Sequence, residues 1–101
     1  MTVEAAPQAS TELVQHLIRL GCVNTGQPDS GDETKASELL RQVVDLPGVE
    51  LESYGPLPNR QSLVARLPGS DPMAPTLLLL GHTDVVPADP TDWRHDPSAA
   101  S

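Results

Sequence analysis

Phenylalanine is missing from this chain, and tryptophan and tyrosine occur once each. Any core must therefore be built from Leu, Val and Ala. Positive charge is scarce too: six Lys and Arg stand against fourteen Asp and Glu, for a net charge of −8 at pH 7. Such a surface repels polyanions, which excludes nucleic acid and anionic membrane as natural partners. The single cysteine, Cys22, excludes an intrachain disulfide. It follows a helical pattern with no base near it in sequence, so it reads as a small buried hydrophobe and not as a nucleophile. The N-terminus has no basic stretch leading into an apolar one, and Leu77–Leu80 is far too short to span a bilayer. The expected location is cytoplasmic. There is no glycine-rich phosphate loop, no Gly-x-Ser-x-Gly elbow and no set of zinc-ribbon cysteines.

With 101 residues the chain is long enough for one small domain. Eleven prolines restrict its regular structure. Residues 1–9 read as a flexible leader. Ser10 or Thr11 can cap a helix, Leu13, Val14, Leu17 and Ile18 follow at helical spacing, and Gly21 stops it. His16 falls on the polar flank. Residues 24–32 are rich in turn formers. Asp29, Asp32 and Glu33 lack calcium-loop spacing and read as capping and solvated groups. A second helix is expected from about Asp32, with Ala36, Leu39, Leu40, Val43 and Val44 as its stripe and Pro47-Gly48 as its end.

Val49–Tyr54 alternates with period two, which predicts a half-exposed strand. Ser62–Leu67 predicts a second, with Leu63, Ala65 and Leu67 on one face. Thr76–Leu80 has no polar alternation at all and predicts a third strand, buried on both faces. The expected fold class is α/β: two helices, then three strands in a layered domain.

The apolar run ends in Gly81-His82-Thr83-Asp84. In open α/β sheets ligands bind beyond the carboxyl ends of strands. In extended chain His82 and Asp84 point to one side and Thr83 to the other. Imidazole binds zinc through one nitrogen, and a carboxylate commonly holds the other. By residue type alone, an ordinary strand-end His and Asp bonded to loop backbone explains the pair equally well. One His is also short of a zinc site, and no second ligand cluster stands out. Asp89, Asp92, His95 and Asp96 come nearest, in a proline-broken loop that reads as solvated.

The longer string Leu77-Leu78-Leu79-Leu80-Gly81-His82-Thr83-Asp84-Val85-Val86-Pro87, with Trp93 and Asp96-Pro97 after it, resembles the N-terminal catalytic region of the M20 metallopeptidase family. That family includes acetylornithine deacetylase, succinyl-diaminopimelate desuccinylase, aminoacylase-1 and carboxypeptidase-type enzymes. Asn59-Arg60 and Ser62–Gly69 resemble the strand before it. The likeness runs from about Leu13 to Pro97 and is most specific in Gly81–Pro87.

The resemblance implies that residues 10–101 form a partial, zinc-peptidase-like α/β catalytic domain, truncated on its C-terminal side. It implies two bridged metal ions, zinc or in some members cobalt, and hydrolysis of an amide or peptide bond by metal-activated water. The implied substrate is a small peptide or N-acyl amino acid. A homodimer is implied only for a full-length form. By motif match His82 is a metal ligand and Asp84 the catalytic carboxylate that orients and polarises it. The bridging Asp, the Glu general base and the remaining ligands fall C-terminal to the matched region. The chain also departs from the family in carrying Ser98-Ala99-Ala100-Ser101 where an aromatic is usual after Asp-Pro. The expectation is that the chain alone is inactive. The rival expectation is a stand-alone, non-catalytic α/β module with a binding or structural role.

Overall fold

A computed structural model describes residues 6–100. The order of elements is α1 (Ala6–Leu20), α2 (Thr34–Val44), β1 (Glu50–Tyr54), β2 (Ser62–Arg66) and a 3-10 turn at Pro90–Asp92. The α/β class expected from sequence is the one observed, with two differences at the helix starts and one in the sheet.

Helix α1 begins at Ala6, so residues 6–9 of the expected leader are helical, and residues 1–5 of it lie outside the described residues. Ser10 and Thr11 are therefore inside the helix and do not cap it. Its other end is where the sequence puts it: Gly21 has φ +67°, a conformation that glycine alone adopts without steric cost, and its N–H donates to the Ile18 carbonyl. Lys35 Nζ reaches back from α2 to the Leu20 carbonyl at 2.9 Å, placing a cation on the negative end of the α1 dipole.

Helix α2 starts two residues later than the capping argument expects. Asp32 has φ +48° and leaves the helical path, and Glu33 precedes the first turn without a side-chain cap bond. The Glu33 carboxylate is not solvated. It is buried against Arg60, with Nε 2.6 Å from Oε2. The N–H is not aligned on that oxygen, so the contact is an ion pair and not a well-formed hydrogen bond. Arg60 also donates from Nη1 to the Ser30 carbonyl at 3.1 Å, which ties the turn-rich loop to the β1–β2 connection.

Strands β1 and β2 pair antiparallel, in the register Leu51 to Ala65 and Ser53 to Leu63. The inner face of β2 lies on α2, and α2 lies on α1. Ser37 on α2 donates to the Gln61 carbonyl at 2.9 Å and fixes the helix at the start of β2. The third strand does not form. Thr76–Leu80 has no ladder partner, and Leu77–Leu80 are 81, 72, 83 and 88% exposed. The physical reason is the lack of a neighbour. A strand needs a second backbone to satisfy its N–H and C=O groups, and among the described residues neither edge of the β1–β2 pair takes this run.

The fully buried apolar residues among those described are Cys22 and Ala36. The radius of gyration is 16.1 Å, against about 13 Å for a compact domain of 100 residues. The helix–helix–hairpin layer is packed; the chain after β2 is draped over it.

Two predictions follow from these contacts. Gly31 has φ +87°, and a Cβ there would lie 2.5 Å from Glu33 Oε1, which Arg60 holds in place. Gly26 has φ +89° with open space around it. Gly26→Ala should cost about 1 kcal/mol, the backbone term alone. Gly31→Ala should cost about 2–3 kcal/mol, because the buried ion pair must also move. Urea unfolding followed by circular dichroism compares them, and equal losses would refute the role given to Glu33. Next, Leu78→Glu with Leu80→Glu should leave the unfolding free energy within about 0.5 kcal/mol of the parent and reduce self-association in light scattering. A large loss of stability would mean that these leucines are covered.

Candidate functional site

Residues 22–24 emerge from the end of α1 and run alongside Val85. Val85 N–H donates to the Cys22 carbonyl and Asn24 N–H donates to the Val85 carbonyl, both at 2.8 Å, making a parallel bridge between Val23 and Val85. From the other side, Gly31 N–H donates to the Val23 carbonyl at 2.8 Å. Cys22 is 1% exposed beneath this junction, its Sγ 3.6 Å from the Asp32 carbonyl. Burial pushes the thiol pKa above its ordinary value, only partly offset by Lys35 nearby, so the thiol is held neutral and unreactive. Its position is that of a packed small hydrophobe.

The bridge sets the side chains of His82, Asp84 and Asn24 side by side. His82 Nδ1 lies 3.0 Å from Asp84 Oδ1 and 2.8 Å from the Asp84 carbonyl oxygen. A carboxylate and a carbonyl only accept, so Nδ1 must carry the proton. In the neutral ring this leaves Nε2 with its lone pair free, and the side chain is 85% exposed. On the far side of the carboxylate, Asn24 Nδ2 donates to Asp84 Oδ2 at 2.9 Å. Asn24 Oδ1 accepts from Gly26 N–H at 2.8 Å, which settles the orientation of the amide. The Asn24 hydrogen bond is the main cause of a lowered Asp84 pKa; the bond and charge of His82 add to it, and partial desolvation opposes it. Asp84 is therefore held ionised.

Gly81, His82, Thr83 and Asp84 line a cleft of about 460 Å³. The opposite wall carries the Glu33–Arg60 ion pair with Ser37, Gln61 and Leu63. The structure thus brings together the two residues singled out from sequence, His82 and Asp84. It does not bring Asp89, Asp92, His95 or Asp96 to them. Asp89 instead accepts from Thr91, and Asp96 from Ser98, each by Oδ1 to the backbone N–H and the hydroxyl two residues on. Among the described residues no three His, Cys, Asp or Glu side chains converge as a metal set. The donor chemistry at His82 fits one metal ligand with an outer-shell acceptor behind it; it does not fit a complete site. Asn24 was not legible as part of the site. It sits in a run of turn formers, and only the parallel bridge carries it to Asp84.

No helix among the described residues is long and apolar enough to cross a membrane. The chain matches no protein-family model, and no solved structure matches it. Curated relatives do. A succinyl-diaminopimelate desuccinylase of Methylobacterium sp. (strain 4-46) is 56% identical over 96 residues, covering 86% of this chain and 21% of the relative. The protein of that name from Methylobacterium radiotolerans is 36% identical over 99 residues, covering 95% of this chain and 23% of the relative. Aminoacylase-1 of Mus musculus is 32% identical over 91 residues, or 90% of this chain and 21% of the relative. The chain thus spans between a fifth and a quarter of the length of the relatives it matches. Over that matched stretch, which includes His82, Asp84 and Asn24, it is similar in sequence to these M20 family enzymes.

Proposed function

We propose that this chain is the N-terminal portion of a metal-dependent hydrolase that cleaves an amide or peptide bond, with a small peptide or an N-acyl amino acid as substrate. The observation that carries the reading is the state of His82. Its Nδ1–H is committed to Asp84 and its Nε2 is free, which is how a histidine is presented to a metal ion. The desuccinylase and aminoacylase-1 names of the relatives support the reaction class and the acylated substrate. The metal is zinc or cobalt, as a pair in the complete site, and the chemistry it supplies when bound is activation of water for attack on the carbonyl.

Within this proposal each side chain has a limited task. His82 holds one metal through Nε2. Asp84 accepts from Nδ1–H, fixes the ring and makes it a stronger donor. The cleft wall opposite leaves room beside His82 for a small acylated substrate. In this reading the general base and the further ligands come from segments other than those described, and the four exposed leucines at 77–80 leave an apolar surface for further chain to cover. A second reading, a non-catalytic α/β module, is favoured by one observation: three ligands do not converge among the described residues.

The test is a graft. The matched fifth of the Methylobacterium sp. desuccinylase is replaced by this chain, and zinc-dependent release of succinate is measured. The graft should be active, and His82→Ala within it should lower kcat/KM by at least about a thousandfold, the scale of losing a ligand that positions the reacting centre. A graft that folds, binds zinc and is no more active than its His82→Ala form would favour the module. The 101-residue chain alone should show no turnover of N-acyl amino acids above the buffer rate with zinc present.

A further inference from the structure

We propose that Asn24 is a positioning residue for His82, acting through Asp84, so that the loop after α1 reinforces the Nδ1–H tautomer for which the Asp84 carbonyl is the second acceptor. The inference deepens the metal-ligand reading and rests on it for its consequence, though not for its geometry.

A carboxylate beside a histidine does not by itself settle which oxygen faces the ring, because the Asp side chain can rotate about χ2. Here both oxygens are engaged. Oδ2 accepts from Asn24 Nδ2 at 2.9 Å, and Oδ1 faces His82 Nδ1 at 3.0 Å. The amide is itself held. Its oxygen accepts from Gly26 N–H, and its backbone N–H donates to the Val85 carbonyl, one residue past Asp84. The bonds then converge on the carboxylate with one consistent assignment: Gly26 N–H to Asn24 Oδ1, Asn24 Nδ2 to Asp84 Oδ2, and, from the other side, His82 Nδ1–H to Asp84 Oδ1. Reversing any one link puts two acceptors or two donors face to face.

Burial cannot do this job instead. The His82 side chain is 85% exposed, so packing does not hold the ring, and the orientation depends on the hydrogen bonds alone. The residues on the opposite wall of the cleft, Glu33 and Arg60, satisfy each other's charge and make no hydrogen bond to His82 or Asp84. The loop's contribution is therefore carried by one side chain, that of Asn24.

The experiment uses the 15N-labelled 101-residue chain and reads the His82 tautomer from long-range 1H–15N correlation, above the pH at which imidazole protonates. The parent should show Nδ1 protonated and Nε2 bare. Asn24→Ala should shift His82 toward the Nε2–H form that free imidazole favours. Asn24→Asp keeps the acceptor for Gly26 and the backbone bridge, but turns a second carboxylate on Asp84; it should give the same shift. Slowed exchange of the residue 24 and Val85 amides reports whether the bridge survives, and if it is lost in Asn24→Ala, Asn24→Asp decides. A parent with Nε2 protonated, or an unchanged tautomer in Asn24→Asp with the bridge intact, overturns the proposal. Zinc chloride added alone separates this from the metal reading. Zinc should perturb the parent Nε2 and bind about tenfold more weakly to Asn24→Ala, the lower end of outer-shell effects. If zinc leaves Nε2 untouched in the parent while the tautomer follows Asn24, the positioning role stands and the metal-ligand role falls.

Discussion

The bridge between Val23 and Val85 is the constraint on which the site depends. Two 2.8 Å backbone hydrogen bonds join segments that lie 60 residues apart in sequence at Asn24 and Asp84. Closing a free loop of that length costs on the order of 3–4 kcal/mol. Two exchanged hydrogen bonds return only about 1 kcal/mol each. The bridge cannot close a disordered chain by itself. It works because α2 packed on β2 has already restricted most of the intervening residues, and because Gly31 N–H braces the Val23 carbonyl from the other side. The helix–hairpin layer is thus upstream of the site in an energetic sense, and it also supplies Glu33, Ser37, Arg60, Gln61 and Leu63 to the cleft wall.

Charge is handled differently at the two sides of that cleft. Glu33 and Arg60 are mostly buried, and each is the other's counter-ion. Breaking such a pair from one side leaves an uncompensated charge, so its worth lies in fixing geometry more than in net stability. Asp84 is more accessible, and its ionised state rests first on a neutral amide bonded to one oxygen, with the bond and charge of His82 adding to it. That distinction has a chemical consequence. A neutral partner leaves the full carboxylate charge available to polarise the ring, whereas an Arg in the place of Asn24 would cancel it.

How much of this could be read beforehand follows from the range of each signal. Both helices and the β1–β2 hairpin rest on local patterns, period 3.6 and period two, and these were legible. So was the pairing of His82 with Asp84, because the two are separated by one residue and any extended backbone presents them together. The start of α1 was not legible, since Ser10 and Thr11 are good caps that the chain passes over in favour of a start at Ala6. Burial of Leu77–Leu80 was inferred from composition, and composition cannot supply the neighbouring strands that burial needs. Asn24 was invisible for a related reason. In sequence it is one more turn former among Thr25, Gly26 and Pro28; its partner is fixed only by a parallel bridge that no local pattern encodes.

The site is precise at one end and open at the other. From Gly26 to His82 Nδ1 every donor meets an acceptor, whereas Nε2 faces outward on a largely exposed ring beside four solvent-facing leucines. A surface histidine with no task would have no need of two layers of hydrogen bonds behind it, since water satisfies Nδ1 at no conformational cost. Ordering a side chain in this way has an entropic cost, and the exposed ring recovers little of it through packing. The arrangement makes physical sense when orientation of the free nitrogen is itself the quantity being held, as it is for a metal ligand and as it is not for a solvated loop residue. In the proposed enzyme, the open end, bare nitrogen and uncovered leucines together, is where further ligands and further strands would arrive.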